Sequence, residues 1–182
     1  IDNTNDVNKA GFDFRGVQGG EFFETFETEA QIRDINGDKE DEAAVYKIRG
    51  NKAIEDTKRP LSITMQTETK TIGADGVTEE VSKVPFNETG SFEINNIIIN
   101  YDTSKDSLDG IVEKINKGKT GVVASLDPNN RLVLRAEKDE DYVVKTISQS
   151  SGTFLSTMGI IKEGQNYNYK NTESLNNISE DR

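Results

Sequence analysis

The sequence predicts an α+β fold: mainly antiparallel β-sheet, with one amphipathic helix packed on a small sheet and a β-rich insertion ahead of it. Three observations carry this. Phe92 and Ile94, then Ile97, Ile99 and Tyr101, and again Leu132 and Leu134 recur two apart, the spacing that puts strand side chains on one face. One stretch breaks that period, because Leu108, Ile111, Val112 and Ile115 recur at i, i+3, i+4 and i+7 and make a single apolar stripe. Finally, the turn signals Asn36-Gly37, Asp75-Gly76, Asn95-Asn96 and Asp127-Pro128-Asn129-Asn130 separate strand-like runs by only a few residues, which favours hairpins over long crossovers.

Residues 1–26 form a polar lead-in that becomes rich in glycine and phenylalanine (Phe12, Phe14, Phe22, Phe23, Phe26). Its glycines, Gly16, Gly19 and Gly20, lack both the Gly-Lys-Ser/Thr and the incoming strand of a phosphate loop. Residues 27–89 read as a β-rich region. Thr28 to Ile35 is a strand, and Asn36-Gly37 turns into the charge run Asp38–Glu42. Asp34, Asn36, Asp38 and Glu40 alternate like the start of an EF-hand, but Lys39 replaces the glycine of the sixth position and Val45 the carboxylate of the twelfth, so a solvated hairpin tip is expected. Ala43–Ile48 follows as a strand with Tyr46 and Ile48 on one face. A polar connection over 50–59 leads to Pro60, which suits the edge start of a long strand, Leu61–Ile72, with Leu61, Ile63 and Met65 alternating and Thr67, Thr69 and Thr71 following. Val77–Val84 returns, giving a projecting, exposed antiparallel ribbon.

Residues 90–160 hold the organising unit. Phe92 and Ile94 share one face, and after the Asn95-Asn96 turn Ile97, Ile99 and Tyr101 share the next. The helix is expected to take Thr103 as its cap, with Asp106 three residues on, and to close at Gly118 in the left-handed conformation. Strands Val122–Leu126 and Arg131–Arg135 flank the Pro128 turn, with Leu132 and Leu134 inward and Val133 and Arg135 outward. Tyr142–Ile147 is a fifth strand, and Gly152–Met158 is a helical turn stopped by Gly159. The expected core is Ile94, Leu108, Ile111, Val112, Ile115, Val122, Leu132 and Leu134. Residues 161–182 read as a polar tail or linker, in which Leu175 and Ile178 dock weakly.

Composition narrows the function. The 33 acidic against 22 basic residues give a net charge of −11, which disfavours nucleic acid and anionic membranes. The chain has neither cysteine nor histidine, so disulfides, thiolate chemistry, the ordinary neutral-pH base and the commonest metal ligand are all missing. No run approaches the about 20 apolar residues that span a bilayer, and Ile1-Asp2-Asn3-Thr4 carries no signal-peptide pattern. Carboxylates alone can run glycoside hydrolysis. The pair Glu21 and Glu24 and the run Asp139-Glu140-Asp141 are the candidates, and neither brings the apolar pocket that a general acid needs, so no catalytic, cofactor-binding or metal residue is assigned and no cofactor is expected. Lys114, Lys117 and Glu113 read as surface charges on the helix. Tyr167 and Tyr169 alternate and could stack a sugar, and Asn87-Glu88-Thr89 and Asn177-Ile178-Ser179 have the form of glycosylation sequons.

A resemblance adds to this. Ser91-Phe92-Glu93-Ile94, Asn95-Asn96, Ile97–Asn100, Asp102–Ile111, Ile115-Asn116, Gly121–Ser125, Arg131–Leu134 and Gly152–Ile160 together resemble the flagellin hook IN motif of bacterial flagellar axial proteins. The opening, Val7–Phe14 and Gly16–Phe23, is similar to the passage that follows the long inner-domain helices in the flagellar hook-associated proteins. Residues 27–89 match nothing in that pattern and have the character of a variable outer insertion. The resemblance implies a non-catalytic structural subunit at the hook–filament junction of an extracellular tube. Its implied partners are further copies, the hook and the second junction protein, engaged through inner terminal helices outside this chain, which would leave the chain itself monomeric. The alternatives are a flagellar cap-like part or a surface adhesion module that binds a glycan or a host or partner protein.

Overall fold

The computed structural model describes residues 28–33, 35, 39, 42–137, 143–170, 172–176 and 178–181. The Phe-rich lead-in with Glu21 and Glu24, the Asn36-Gly37 turn with its EF-hand-like carboxylates, the Asp139–Asp141 run and Asn177 lie outside the described residues. In chain order the elements are β1 (Thr28–Arg33), β2 (Glu42–Ala53), α1 (Leu61–Thr64), β3 (Gln66–Ile72), β4 (Glu79–Pro85), β5 (Thr89–Ile94), β6 (Ile97–Asp102), α2 (Leu108–Lys117), β7 (Val122–Leu126), β8 (Arg131–Ala136), β9 (Thr146–Ser151), α3 (Phe154–Thr157), β10 (Tyr167–Asn168) and β11 (Ile178–Asp181), with a 3-10 turn at Thr172–Ser174 before the last. This is the α+β, mainly antiparallel architecture that the strand and helix periods predict.

The strands form a five-stranded sheet in the order β11-β1-β2-β8-β7, a four-stranded sheet β10-β9-β5-β6 and the separate ribbon β3-β4. Every pairing among them is antiparallel except β1 with β11. Both larger sheets feed one continuous core: Val45, Ile48, Leu132 and Leu134 from the first, and Phe92, Ile94, Ile99 and Ile147 from the second. Leu108, Ile111 and Ile115 of α2 enter the same core, as the helical stripe requires. Of the expected core residues, Val112 alone is only partly buried. The Asn95-Asn96 turn has φ of 50° and 68°, the left-handed pair that a two-residue hairpin needs.

Residues 27–89 and 90–160 share a sheet, because β2 pairs with β8 through Lys47–Arg135, Ile48–Leu134 and Arg49–Val133. The two hairpins of the organising unit thus lie in different sheets: β5 and β6 in the four-stranded one, β7 and β8 in the five-stranded one.

Several local expectations are corrected. Leu61–Ile72 is not one strand. Leu61 and Met65 stand four apart and are both buried, which is helical spacing, while Ile63 points to solvent; Pro60 opens the turn α1, and the strand begins only at Gln66. Tyr46 does not share the face of Ile48. A bulge in the β1–β2 pairing makes Tyr46 the extra residue, so Val45 and Ile48, three apart, both reach the core. The helix cap is Ser107, whose Oγ accepts from the Gly110 N–H at 3.0 Å, and not Thr103. Thr103 is buried and donates to the Phe86 carbonyl at 2.6 Å. Gly118 stays right-handed at φ −75°, and Lys119 takes the left-handed step at φ 56°. What Gly118 supplies is room, since a β-carbon there would stand 3.1 Å from Ile99 Cδ1.

Val133, expected outward, is buried as well, so the sheet is covered on both faces at β8. The last strand of the unit is Thr146–Ser151 instead of Tyr142–Ile147. Val144 precedes it as a bridge to Val45, with its N–H on the Val45 carbonyl at 2.8 Å. The stretch after Ile160 is no free tail. Ile161 bridges Leu175, both are buried, Tyr167 is buried on β9, and β11 runs beside β1.

Candidate functional site

Helix α2 is the part of the structure on which the two sheets depend. It packs chiefly on β7 and also touches β6, the edge strands of the two sheets. A strand edge exposes unpaired N–H and C=O groups. The Asn116 amide satisfies one such edge as another strand would: its Oδ1 accepts from the Ala124 N–H at 2.7 Å and its Nδ2 donates to the Ala124 carbonyl at 3.0 Å. Two residues earlier, Lys114 Nζ donates to the Asn100 carbonyl on β6 at 2.9 Å and pairs with Asp106 at 2.9 Å. At the other end of the helix, the Asp109 N–H reaches the Thr57 carbonyl at 2.9 Å, and Pro60 bridges Ser107. One helix therefore binds backbone on the edge strand of each sheet, at Ala124 and at Asn100, and anchors the segment that leads into the ribbon.

A second cluster locks the four-stranded sheet. The Glu88 carboxylate accepts from the Tyr101 hydroxyl, from the Thr153 N–H at 2.8 Å and from Thr153 Oγ1 at 2.8 Å. Gln149 Nε2 donates to the same Tyr101 oxygen at 3.1 Å, and Gln149 Oε1 accepts from the Leu155 N–H at 2.8 Å. The Tyr101 ring lies against Phe154 at 5.4 Å and Phe92 at 5.8 Å, and those two rings stack at 5.3 Å. Gly152, at φ 88°, is required here, since a β-carbon would collide with the Tyr101 hydroxyl and stand 2.7 Å from Glu88 Oε2. Burial and then the Glu88 acceptor push the Tyr101 phenol well above its ordinary value, and burial does the same to Tyr167.

A third cluster joins the sheet to its β7–β8 turn. Asp127 pairs with Arg131 at 2.8 Å and Arg49 at 3.6 Å, and accepts from the N–H groups of Asn129 and Arg131, each at 2.9 Å. Burial alone would raise the Asp127 carboxyl; the bonds from Arg131 and Asn129 outweigh it and hold the group below the usual carboxylate range.

These clusters spend their polar groups on backbone and on each other, which is chemistry for holding shape. Among the described residues, no three acidic side chains come together in a way that could hold a metal ion. Shallow, open depressions occur among the described residues. One, of about 390 Å³, lies between Asn51, Lys52, Thr157, Lys162 and Asn176, and another lies over the outer face of α2. The residues singled out in the sequence are scattered across the fold. Glu113 and Lys117 form an exposed ion pair at 3.1 Å. Tyr167 is buried and donates to the Val144 carbonyl at 2.8 Å, so it cannot stack a sugar beside Tyr169. Asn87 is exposed in the link before β5. Asp127 bonds back to its turn as the sequence led one to expect, but Glu88, Asn116 and Gln149 were not singled out, because a polar residue at a strand end or on a helix flank looks like any solvated one.

Among the described residues no helix is long and apolar enough to cross a membrane. No curated protein and no solved structure matches the chain. Residues 86–138 match the family model described as the flagellin hook IN motif, a segment running from Phe86 through β5, β6, α2, β7 and β8, and the chain thus carries a motif of the flagellar hook and filament proteins.

Proposed function

We propose that the chain is the outer, non-catalytic part of a structural subunit of the bacterial flagellum, placed at the junction of hook and filament. The motif match over 86–138 carries this reading. The geometry of the matched segment supports it: α2 fastens two sheets through Asn116 and Lys114, and the polar clusters around it bind backbone. A part of this kind resists deformation and turns nothing over. In this reading residues 27–89 are the variable outer region, the subunit works outside the cytoplasm on an external or periplasmic flagellum, and its partners are further copies, the hook and the second junction protein, reached through inner helices beyond this chain. The chain by itself is then monomeric.

Immunogold electron microscopy of intact flagella, with antibody raised against this chain, tests the placement. Label confined to the hook–filament boundary is the expected result. Label at the distal tip, along the whole filament, or on the cell surface away from flagella overturns it.

A further inference from the structure

Among the described residues the ribbon stands apart from both larger sheets. Among the described residues β3 pairs with β4 alone, and its residues from Glu68 to Ile72 are all exposed. A lone two-stranded ribbon is marginal in water, and an edge without proline, bulge or covering helix is open to another strand. β4 ends at Pro85, which has no N–H to give, whereas β3 has no such break. The turn between them is organised: Asp75 accepts from the N–H groups of Val77 and Thr78 at 2.9 and 2.7 Å and from the Thr78 hydroxyl.

The outer edge of β3 reads the same way in both directions. Turned antiparallel to itself about Thr69, it sets Glu68 of one copy opposite Lys70 of the second copy, twice over by symmetry. Thr67 then meets Thr71, Gln66 meets Ile72, and Thr69 meets Thr69. Opposite charges and threonine pairs directly across an antiparallel ladder both stabilise it. We propose that β3 is a self-recognition edge, at which two copies of this chain join their ribbons into a four-stranded antiparallel sheet with a two-fold axis at Thr69. The occupant is a second copy because the charge pattern is complementary to itself in that register. The inference rests on the strand alone and stands or falls apart from the flagellar reading. Seven-residue edges bury little, so the contact leaves the isolated chain monomeric on average and gains weight where copies are held side by side.

The chain has no cysteine, so Thr69→Cys gives a clean probe at the axis. Under mild oxidation it is expected to yield a disulfide dimer well above that of a Ser82→Cys control on β4, since facing β-carbons of an antiparallel pair come close enough to bridge. In the Thr69→Cys background, Glu68→Lys sets lysine against lysine at both pairs and Lys70→Glu sets glutamate against glutamate. Each alone is expected to lower the dimer yield about tenfold. Mixing the two variants restores complementary charge at both pairs, so heterodimers, resolved by mass, are expected to form as readily as the parent dimer. A misfolded ribbon would not recover on mixing. Equal cross-linking of Thr69→Cys and Ser82→Cys, or no preference for the heterodimer in the mixture, overturns the proposal.

Discussion

Replacing Tyr101 by Phe removes one oxygen and leaves the ring. The ring keeps its contacts with Phe92 and Phe154, so packing is preserved and the loss is confined to hydrogen bonds. The hydroxyl donates to the Glu88 carboxylate and accepts from Gln149 Nε2. Glu88 retains both bonds from Thr153, and Gln149 Nε2 retains the Ser151 carbonyl, so neither group is orphaned, whereas the buried Phe154 N–H loses the hydroxyl to which it donates over 3.4 Å. The expected cost is that of one hydrogen bond to a charged group together with this longer backbone bond, about 3 kcal/mol. In a chain of this size it lowers the melting temperature by about 6–12 °C. The same variant changes the response to alkali. In the unfolded chain tyrosine titrates near 10, whereas in the folded protein Tyr101 and Tyr167 hold their protons to higher pH. The folded state thus binds protons that the unfolded state has released. Their contribution is fully present below pH 10 and is lost as pH rises above it, at about 1.4 kcal/mol per pH unit for each group. Tyr101→Phe takes away one of the two, so its urea-unfolding free energy falls less steeply above pH 10 than that of the parent, by one proton's worth. Far-UV circular dichroism in urea at pH 7 to 11 measures both effects. An unchanged melting temperature together with an unchanged alkaline slope refutes the account of this cluster.

Three further outcomes follow from the geometry. Ile115→Ala, at a fully buried position in the last full turn of α2, is expected to cost about 2–5 kcal/mol in urea unfolding, and a loss under 0.5 kcal/mol would contradict the burial. Asp127→Asn removes the carboxylate that pairs with Arg131 and Arg49 and is expected to destabilise by about 2 kcal/mol at pH 7. Because the Asp127 carboxyl is held below its ordinary value, the stability it gives is present above about pH 4 and is lost as pH falls through the lowered value, so the difference between parent and variant should shrink in acid; a constant difference from pH 7 to pH 2 would argue against it. Val77→Ser, at the exposed ribbon tip, is expected to shift stability by less than about 0.5 kcal/mol, and a larger loss would mean that the tip is packed against something.

What was legible in the sequence was whatever a repeating side-chain period encodes. The stripe Leu108, Ile111 and Ile115 is helical and buried, Phe92 and Ile94 face inward, and Asn95-Asn96 turns the hairpin, because each depends on neighbours a few residues away. What was not legible depends on contacts between distant segments. Ser107 and not Thr103 caps α2 because Thr103 is drawn inward to the Phe86 carbonyl, a partner 17 residues earlier. Tyr46 is displaced by a bulge whose cause is the register with β1, which no local pattern records. Within the polar sequence of 162–176 Leu175 docks as expected, but Tyr167 is buried too, and a lone aromatic among hydrophilic residues gives no local sign of that. The holding residues Glu88, Asn116 and Gln149 are invisible for the same reason: their value lies in which distant groups they reach.

That distinction bears on whether the matched segment can stand alone. Residues 86–138 are contiguous in sequence but not in the sheets. β5 lies between β6 and β9, and β8 lies between β7 and β2, so cutting out 86–138 removes one of the two neighbours of each central strand. It also removes Thr57 and Leu61, which are bonded to Asp109 and Asp106 at the N-terminal end of α2, Met65, whose carbonyl accepts from the Phe86 N–H, and Phe154 from the aromatic stack on Phe92. What is left is two hairpins and a helix, each hairpin with its buried face and inner edge open, and isolated hairpins of this length are marginal in water. The helix cannot compensate, because Asn116 and Lys114 satisfy the outer edges and do nothing for the inner ones. The excised 86–138 peptide is therefore expected to show poor amide dispersion and no cooperative melt, whereas residues 28–176, which restore β2, α1, β9 and α3, are expected to fold. A cooperative transition in the short peptide would show that the hairpin–helix–hairpin order contains its own core, and would overturn the view that α2 is a fastener between sheets completed by the rest of the chain.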